Sequence, residues 1–65
     1  MKILVNGAWR ETQAPELARA LEELGYGGSV VTTAVNGEFV AAPLRARTVL
    51  AEGDRVEVLA PMQGG

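Results

Sequence analysis

The chain has 65 residues, no cysteine, no histidine and a formal net charge of −2 from six basic and eight acidic residues. A chain of this length forms one small domain that buries only about 60% of the surface exposed by its unfolded form, so a deep enclosed active site is not expected. The composition removes disulfides, thiolate nucleophiles, the commonest general base and the commonest metal ligand. We therefore expect no enzyme and no bound metal or cofactor, and the scattered charges argue against a nucleic-acid partner.

The apolar opening, MKILV, is interrupted at once by an Asn-Gly pair. It is much shorter than a signal-peptide core or the ~20 apolar residues that span a membrane. The share of apolar residues, 48%, is typical of a folded domain. We expect a cytoplasmic protein that does not contact a membrane.

The first predicted element is a β-hairpin. KILV and AWRE are β-rich runs on either side of Asn6-Gly7, and Asn-Gly is a strong hairpin signal because both residues tolerate positive φ. A two-residue turn places Val5 opposite Ala8 and Leu4 opposite Trp9. Leu4 and Trp9 then share one face of the hairpin.

The next segment, APELARALEELG, predicts a helix. Pro15 suits the first helical position, Glu16 suits the positive N-terminal end, and Gly25 is a C-terminal cap. Apolar residues recur at three- and four-residue spacing and form one stripe, consisting of Leu17, Ala20, Leu21 and Leu24. The helix therefore buries one face.

A second hairpin follows, in which VVTTAV and EFV flank Asn36-Gly37. Residues 41–54 carry no clear periodicity, and Pro43 predicts an irregular crossing there. Arg45 and Arg47 are expected on the solvated surface, with contact to acidic partner residues as the alternative. The last run, RVEVLA, alternates apolar and charged residues and predicts a strand with one buried face.

This order of elements predicts an α+β domain with a mixed sheet of four to five strands and one helix packed across one face. With the last strand returning to the middle beside the first, the arrangement is the ubiquitin-like β-grasp. We predict a domain over residues 1–60 and a flexible C-terminal tail over residues 61–65. The predicted core is Ile3, Val5, Leu17, Leu21, Leu24, Val31, Val35, Leu50, Val56 and Val58.

Two stretches, AVNGEFV and the closing EGDRVEVLAPMQGG, make the chain resemble the ThiS family of sulfur carrier proteins from thiamin biosynthesis. The resemblance runs from end to end, and its most specific parts are the middle hairpin, the Glu-Gly-Asp turn and the terminal Gly64-Gly65. The related small subunits of molybdopterin synthase share the fold and the final glycines but are usually longer. Residues 41–49 depart from the more polar segment typical of the family.

The resemblance implies a carrier cycle. A ThiF-like adenylyltransferase joins AMP to the Gly65 carboxylate, sulfur supplied through a cysteine desulfurase replaces the AMP, and the thiocarboxylate donates sulfur to a ThiG-like thiazole synthase. The chain is then a protein co-substrate. Since it has no phosphate-binding loop motif, ATP is expected to bind to the activating partner.

Several residues are predicted to serve that cycle. Gly64 lets the tail pass through a narrow slot, Met62 offers adaptable apolar contact, and Gln63 is either a recognition residue or a passive spacer. Leu4, Trp9 and Leu59 are predicted docking residues because the first and last strands should be neighbours. Trp9 alternatively covers the rim of the core.

Two other functions stay open on the sequence alone. The chain could be a sulfur carrier in a sibling pathway, such as molybdopterin or cysteine synthesis. It could also be a ubiquitin-like protein modifier or a plain binding module.

Overall fold

Five strands and two short helices make up residues 1–60, the part of the chain that the computed structural model describes. The strands are β1 (Lys2–Val5), β2 (Ala8–Glu11), β3 (Thr32–Val35), β4 (Glu38–Val40) and β5 (Arg55–Leu59). The α-helix α1 (Leu17–Glu23) lies between β2 and β3, and a 3₁₀ helix (Ala42–Arg47) follows β4.

The strands form one mixed sheet in the order β2-β1-β5-β3-β4. β5 is parallel to β1 and antiparallel to β3, and both hairpins are antiparallel. The last strand therefore lies in the middle beside the first. The predicted α+β class and β-grasp topology are confirmed.

Both hairpins turn on an Asn-Gly pair with positive φ at both residues: 49° and 84° at Asn6 and Gly7, and 51° and 84° at Asn36 and Gly37. Two positive φ values are the signature of a type I′ turn, whose twist matches that of the flanking strands. The first hairpin has the predicted register, with Leu4 opposite Trp9.

The start of α1 differs from the prediction. Pro15 is not the first helical residue, because the chain is still extended at Glu16 (φ −139°, ψ 169°) and the helix begins at Leu17. The Pro15 carbonyl accepts a hydrogen bond from Leu50 N–H, and Glu16 forms a β-bridge with Val49. This tertiary pairing keeps the segment extended, and the Glu16 carboxylate caps the helix instead.

The end of α1 agrees with the predicted glycine cap. Gly25 has φ +94°, its N–H donates to the Glu22 carbonyl at 3.1 Å, and Tyr26 N–H donates to the Leu21 carbonyl at 2.8 Å. These two bonds form a Schellman motif, which satisfies carbonyls that the helix leaves free.

The core lies between α1 and one face of the sheet. Eight of the ten predicted core residues are buried; Leu24, at the helix end, and Val35, beside the second turn, are only partly buried. The predicted core omitted Ala14 and Val40, and it also omitted Ala20, which the predicted helix stripe included. The buried side chains are Ile3, Val5, Ala14, Leu17, Ala20, Leu21, Val31, Val40, Leu50, Val56 and Val58, with the polar Thr12 and Thr33.

The segment predicted to be an irregular crossing contains the 3₁₀ helix, with a proline in its first turn. Arg45, on this helix, is half-buried: its Nε donates to Thr33 Oγ1 at 2.9 Å and its Nη2 donates to the Val31 carbonyl at 2.6 Å. The expectation of a solvated Arg45 is wrong, because the guanidinium donates hydrogen bonds to Thr33 on β3 and to Val31 just before that strand. Arg47 is exposed, as expected.

Candidate functional site

β5 is the strand that leads towards the predicted reactive end of the chain. It lies between β1 and β3 and ends at Leu59, and Ala60 is the last described residue. The predicted tail residues Met62, Gln63, Gly64 and Gly65 lie outside the described residues. The described part of the candidate site is therefore the C-terminal part of β5, the side chain that holds it and the exposed surface around it.

The C-terminal part of β5 is held by the side chain of Asn6. β1 ends at Val5, and the Asn6 N–H still donates to the Val56 carbonyl at 3.0 Å. The Asn6 side chain then reaches Val58: Oδ1 accepts from Val58 N–H at 2.8 Å, and Nδ2 donates to the Val58 carbonyl at 3.0 Å. One carboxamide thus satisfies both backbone groups of Val58.

The N-terminal part of β5 is held by Asn36 in a similar way. Asn36 Oδ1 accepts from Arg55 N–H at 2.9 Å, and Asn36 Nδ2 donates to Asp54 Oδ1 at 3.0 Å. The two hairpin turns therefore fasten opposite ends of the same strand through the same type of side chain.

The sheet face opposite α1 is called the outer face. Because side chains alternate along a strand and paired residues share a face, the residues paired with one another but absent from the core define it. They are Lys2, Leu4, Trp9, Glu11, Thr32, Ala34, Phe39, Arg55, Glu57 and Leu59.

An apolar groove of about 230 Å³ lies on the outer face beside the end of β5. Phe39 and Leu59, with 70% and 67% of their surface exposed, line it together with Ala34, Thr32 and Glu57. Phe39 was not among the predicted docking residues. The register of the second hairpin, which places Phe39 opposite Ala34, would have identified it.

The predicted docking residues share the outer face but fall in two areas. Trp9 is 60% exposed and lies opposite the partly buried Leu4, which in turn lies beside Arg55 at the start of β5. Leu59 lies at the other end of β5, roughly 13 Å from Arg55 at about 3.3 Å per residue. It joins the Phe39 groove and not the Trp9 area.

Comparison with known proteins decides the family. The model of the ThiS family matches residues 3–65, nearly the whole chain. The chain belongs to the ThiS family. A crystal structure of the thiamine biosynthesis protein (ThiS) from Geobacter metallireducens is 30% identical to it, with a TM-score of 0.81 over 100% of both chains. No curated protein sequence gives a significant match.

Within residues 1–60 of this ThiS-family chain, no group of three or more Asp or Glu residues is placed to hold a metal ion. In the same residues, no helix is long and apolar enough to cross a membrane. What the described residues offer is a firmly held central strand and an exposed apolar surface around its end.

Proposed function

We propose that this ThiS-family chain is a sulfur carrier of thiamin biosynthesis that acts in the cytoplasm as a protein co-substrate and not as an enzyme. The observation that carries the proposal is the family match through residue 65, which includes Gly64 and Gly65. The similarity to a thiamine biosynthesis protein over the full length of both chains supports the pathway.

The proposed reactive group is the Gly65 carboxylate. A terminal carboxyl group with a pKa of about 3.5 is ionised at neutral pH, and the charge makes it a poor acyl donor. Joining it to AMP creates a good leaving group. A persulfide supplied through a cysteine desulfurase then displaces AMP with its outer sulfur and forms an acyl disulfide. A thiol reduces that S–S bond and releases the thiocarboxylate, which donates its sulfur to the thiazole moiety.

The residues before Gly65 are proposed to enter the partner's site. Glycine at position 64 lets the backbone approach nucleotide without a Cβ in the way. Five extended residues after Ala60 reach roughly 16–18 Å, far enough to pass from a docked domain into a buried centre. In this proposal Met62 and Gln63 lie inside the partner's entry channel and contact its walls.

The proposed partners are a ThiF-like adenylyltransferase, which binds the ATP, and a ThiG-like thiazole synthase. Both would dock on the outer face, since it surrounds the end of β5 and exposes Trp9, Phe39 and Leu59. Exposed aromatic and aliphatic side chains of this kind are typical anchors of protein interfaces.

The test is to incubate the purified chain with a ThiF-like adenylyltransferase and ATP and to follow pyrophosphate release. We expect release with the natural chain and none with a chain ending at Gln63 or with one extended by an alanine after Gly65, because both lack the Gly65 carboxylate. With desulfurase and excess cysteine added, the cysteine thiol also serving as the reductant, intact mass should show one oxygen replaced by sulfur.

Equal release from all three chains would contradict the proposal. A covalent conjugate with lysine-bearing proteins would instead identify a modifier. Sulfur transfer to a molybdopterin precursor, and not to a thiazole synthase, would place the carrier in a sibling pathway.

A further inference from the structure

The side chain of Asn6 makes the hydrogen bonds to Val58 that the backbone of β1 would make if that strand continued past Val5. β1 and β5 run parallel as far as the pairs Leu4–Arg55 and Val5–Val56, after which the chain turns away into β2. The N–H and C=O groups of Val58 point to the β1 side of β5, beyond the residue at which β1 ends. The Asn6 carboxamide occupies that side and bonds both of them, at 2.8 and 3.0 Å.

The orientation of this carboxamide is fixed by its partners. An N–H must face the side-chain oxygen and a carbonyl must face the side-chain nitrogen, and Val58 supplies one of each. The left-handed backbone of Asn6, with φ 49°, belongs to the turn itself. Asparagine is one of the few residues other than glycine that adopts this backbone conformation readily.

On its other side, β5 pairs with β3 as far as Thr32–Leu59. The end of β5 is therefore held from both sides, by a strand on one and by a single side chain on the other. We propose that Asn6 is a positioning residue for carrier function. It fixes the C-terminal end of β5 at Val58, and so fixes the point from which the chain beyond Ala60 enters a partner's active site.

This inference rests on the proposed function, in which a partner acts on Gly65. Activation requires the carboxylate to lie within bonding distance of the nucleotide, and small misplacements of reacting groups are costly. With Val58 released, more of the backbone has to be ordered again in each productive complex. The loss should therefore appear in kcat for adenylation, while KM, set by docking of the outer face, stays nearly constant.

The chain contains a matched control. Asn36 has nearly the same φ, precedes a glycine with the same φ and also makes two side-chain hydrogen bonds, but it holds the start of β5. Asn6→Gly and Asn36→Gly both keep a residue suited to the turn and remove one carboxamide. They differ in which end of β5 is released.

Two measurements on the full chain test the proposal. Hydrogen exchange should be about tenfold faster at Val58 N–H in Asn6→Gly and unchanged there in Asn36→Gly. Pyrophosphate release with the adenylyltransferase should show kcat lowered about three- to tenfold in Asn6→Gly, with KM within about twofold. Asn36→Gly should keep both constants within about twofold.

A further variant, Asn6→Asp, preserves the side-chain volume but places an oxygen against the Val58 carbonyl. It should lower kcat by a similar factor, so the test does not depend on one substitution folding. Equal loss of kcat in the Asn6 and Asn36 variants, or unchanged kcat despite faster exchange at Val58, would overturn the inference. A natural chain that releases no pyrophosphate would overturn the proposed function and this inference with it.

Discussion

The Arg45 side chain joins the 3₁₀ helix to β3. It donates to the hydroxyl of Thr33, which is completely buried, and that hydroxyl donates in turn to the Val40 carbonyl at 2.8 Å. A second donor of Arg45 reaches the Val31 carbonyl. Every buried side-chain polar atom in residues 1–60 has a hydrogen-bond partner, and Arg45 is one reason.

At the residue scale, we predict that Arg45→Met destabilises the protein by about 1–3 kcal/mol, because it leaves the Val31 carbonyl and the Thr33 hydroxyl without a donor. Arg47→Met, an exposed change on the same 3₁₀ helix, should alter the free energy of unfolding by less than about 0.5 kcal/mol. Urea unfolding measures both. Equal midpoints for the two variants would show that the Arg45 contacts do not stabilise the fold.

The role of Arg45 could not be predicted from the sequence. A single arginine in a stretch without periodicity gives no sign of which backbone carbonyl it will reach. The same holds for Asn6: the Asn-Gly pair predicts its turn, but the bond to Val58 depends on β5 being parallel to β1 and longer than it. Contacts between residues far apart in the sequence appear only when the topology is known.

The secondary-structure elements are set by a few local signals and adjusted by tertiary contacts. Asn-Gly pairs fix both hairpin registers, and Gly25 ends α1, because each demands a backbone conformation that few residues adopt. The start of α1 is different. Pro15 permits a helix there, yet the pairing of Glu16 with Val49 keeps the chain extended, and the helix begins two residues later than predicted.

At the element scale, we predict that Gly25→Ala destabilises the protein by about 1–2 kcal/mol, since an L-residue at φ +94° is strained although no atom lies within 4 Å of the added Cβ. Gly28→Ala is the control, because that position is equally open and its φ is not in the left-handed region. It should be neutral or slightly stabilising. Thermal unfolding of the two variants would contradict the prediction if their midpoints coincide.

At the scale of the whole molecule, the two faces of the sheet differ in exposure. One face of the sheet is covered by α1, and the outer face is left exposed around the end of β5. The sequence predicted this division, since alternation in the strands assigns each side chain to one face. It did not predict that Leu59 would group with Phe39, because that depends on the order of β5, β3 and β4 across the sheet.

At the scale of the whole molecule, we predict that Leu59→Lys and Trp9→Lys each weaken binding to the adenylyltransferase at least about tenfold, because each places a charge in a desolvated interface. Val49→Lys is the control: Val49 is 77% exposed but pairs with Glu16 beside α1, away from the outer face. Titration calorimetry measures the affinities. Normal affinity in both outer-face variants would remove this face as the docking surface.

The free energies of unfolding of the natural chain and of these three lysine variants should differ by less than about 0.5 kcal/mol, because the substituted side chains are exposed. A circular dichroism melt checks this point. It separates loss of an interface from loss of the fold.

The parallel pairing of β1 with β5 determines how the domain responds to a mechanical load. When Met1 is held and the chain beyond Ala60 is pulled, β1 and β5 slide along each other in opposite directions. The load is then shared by the whole row of hydrogen bonds between them and does not open them one at a time. The β1–β5 pair therefore resists a pull between Met1 and the chain beyond Ala60 better than a pull that would peel one strand from the other.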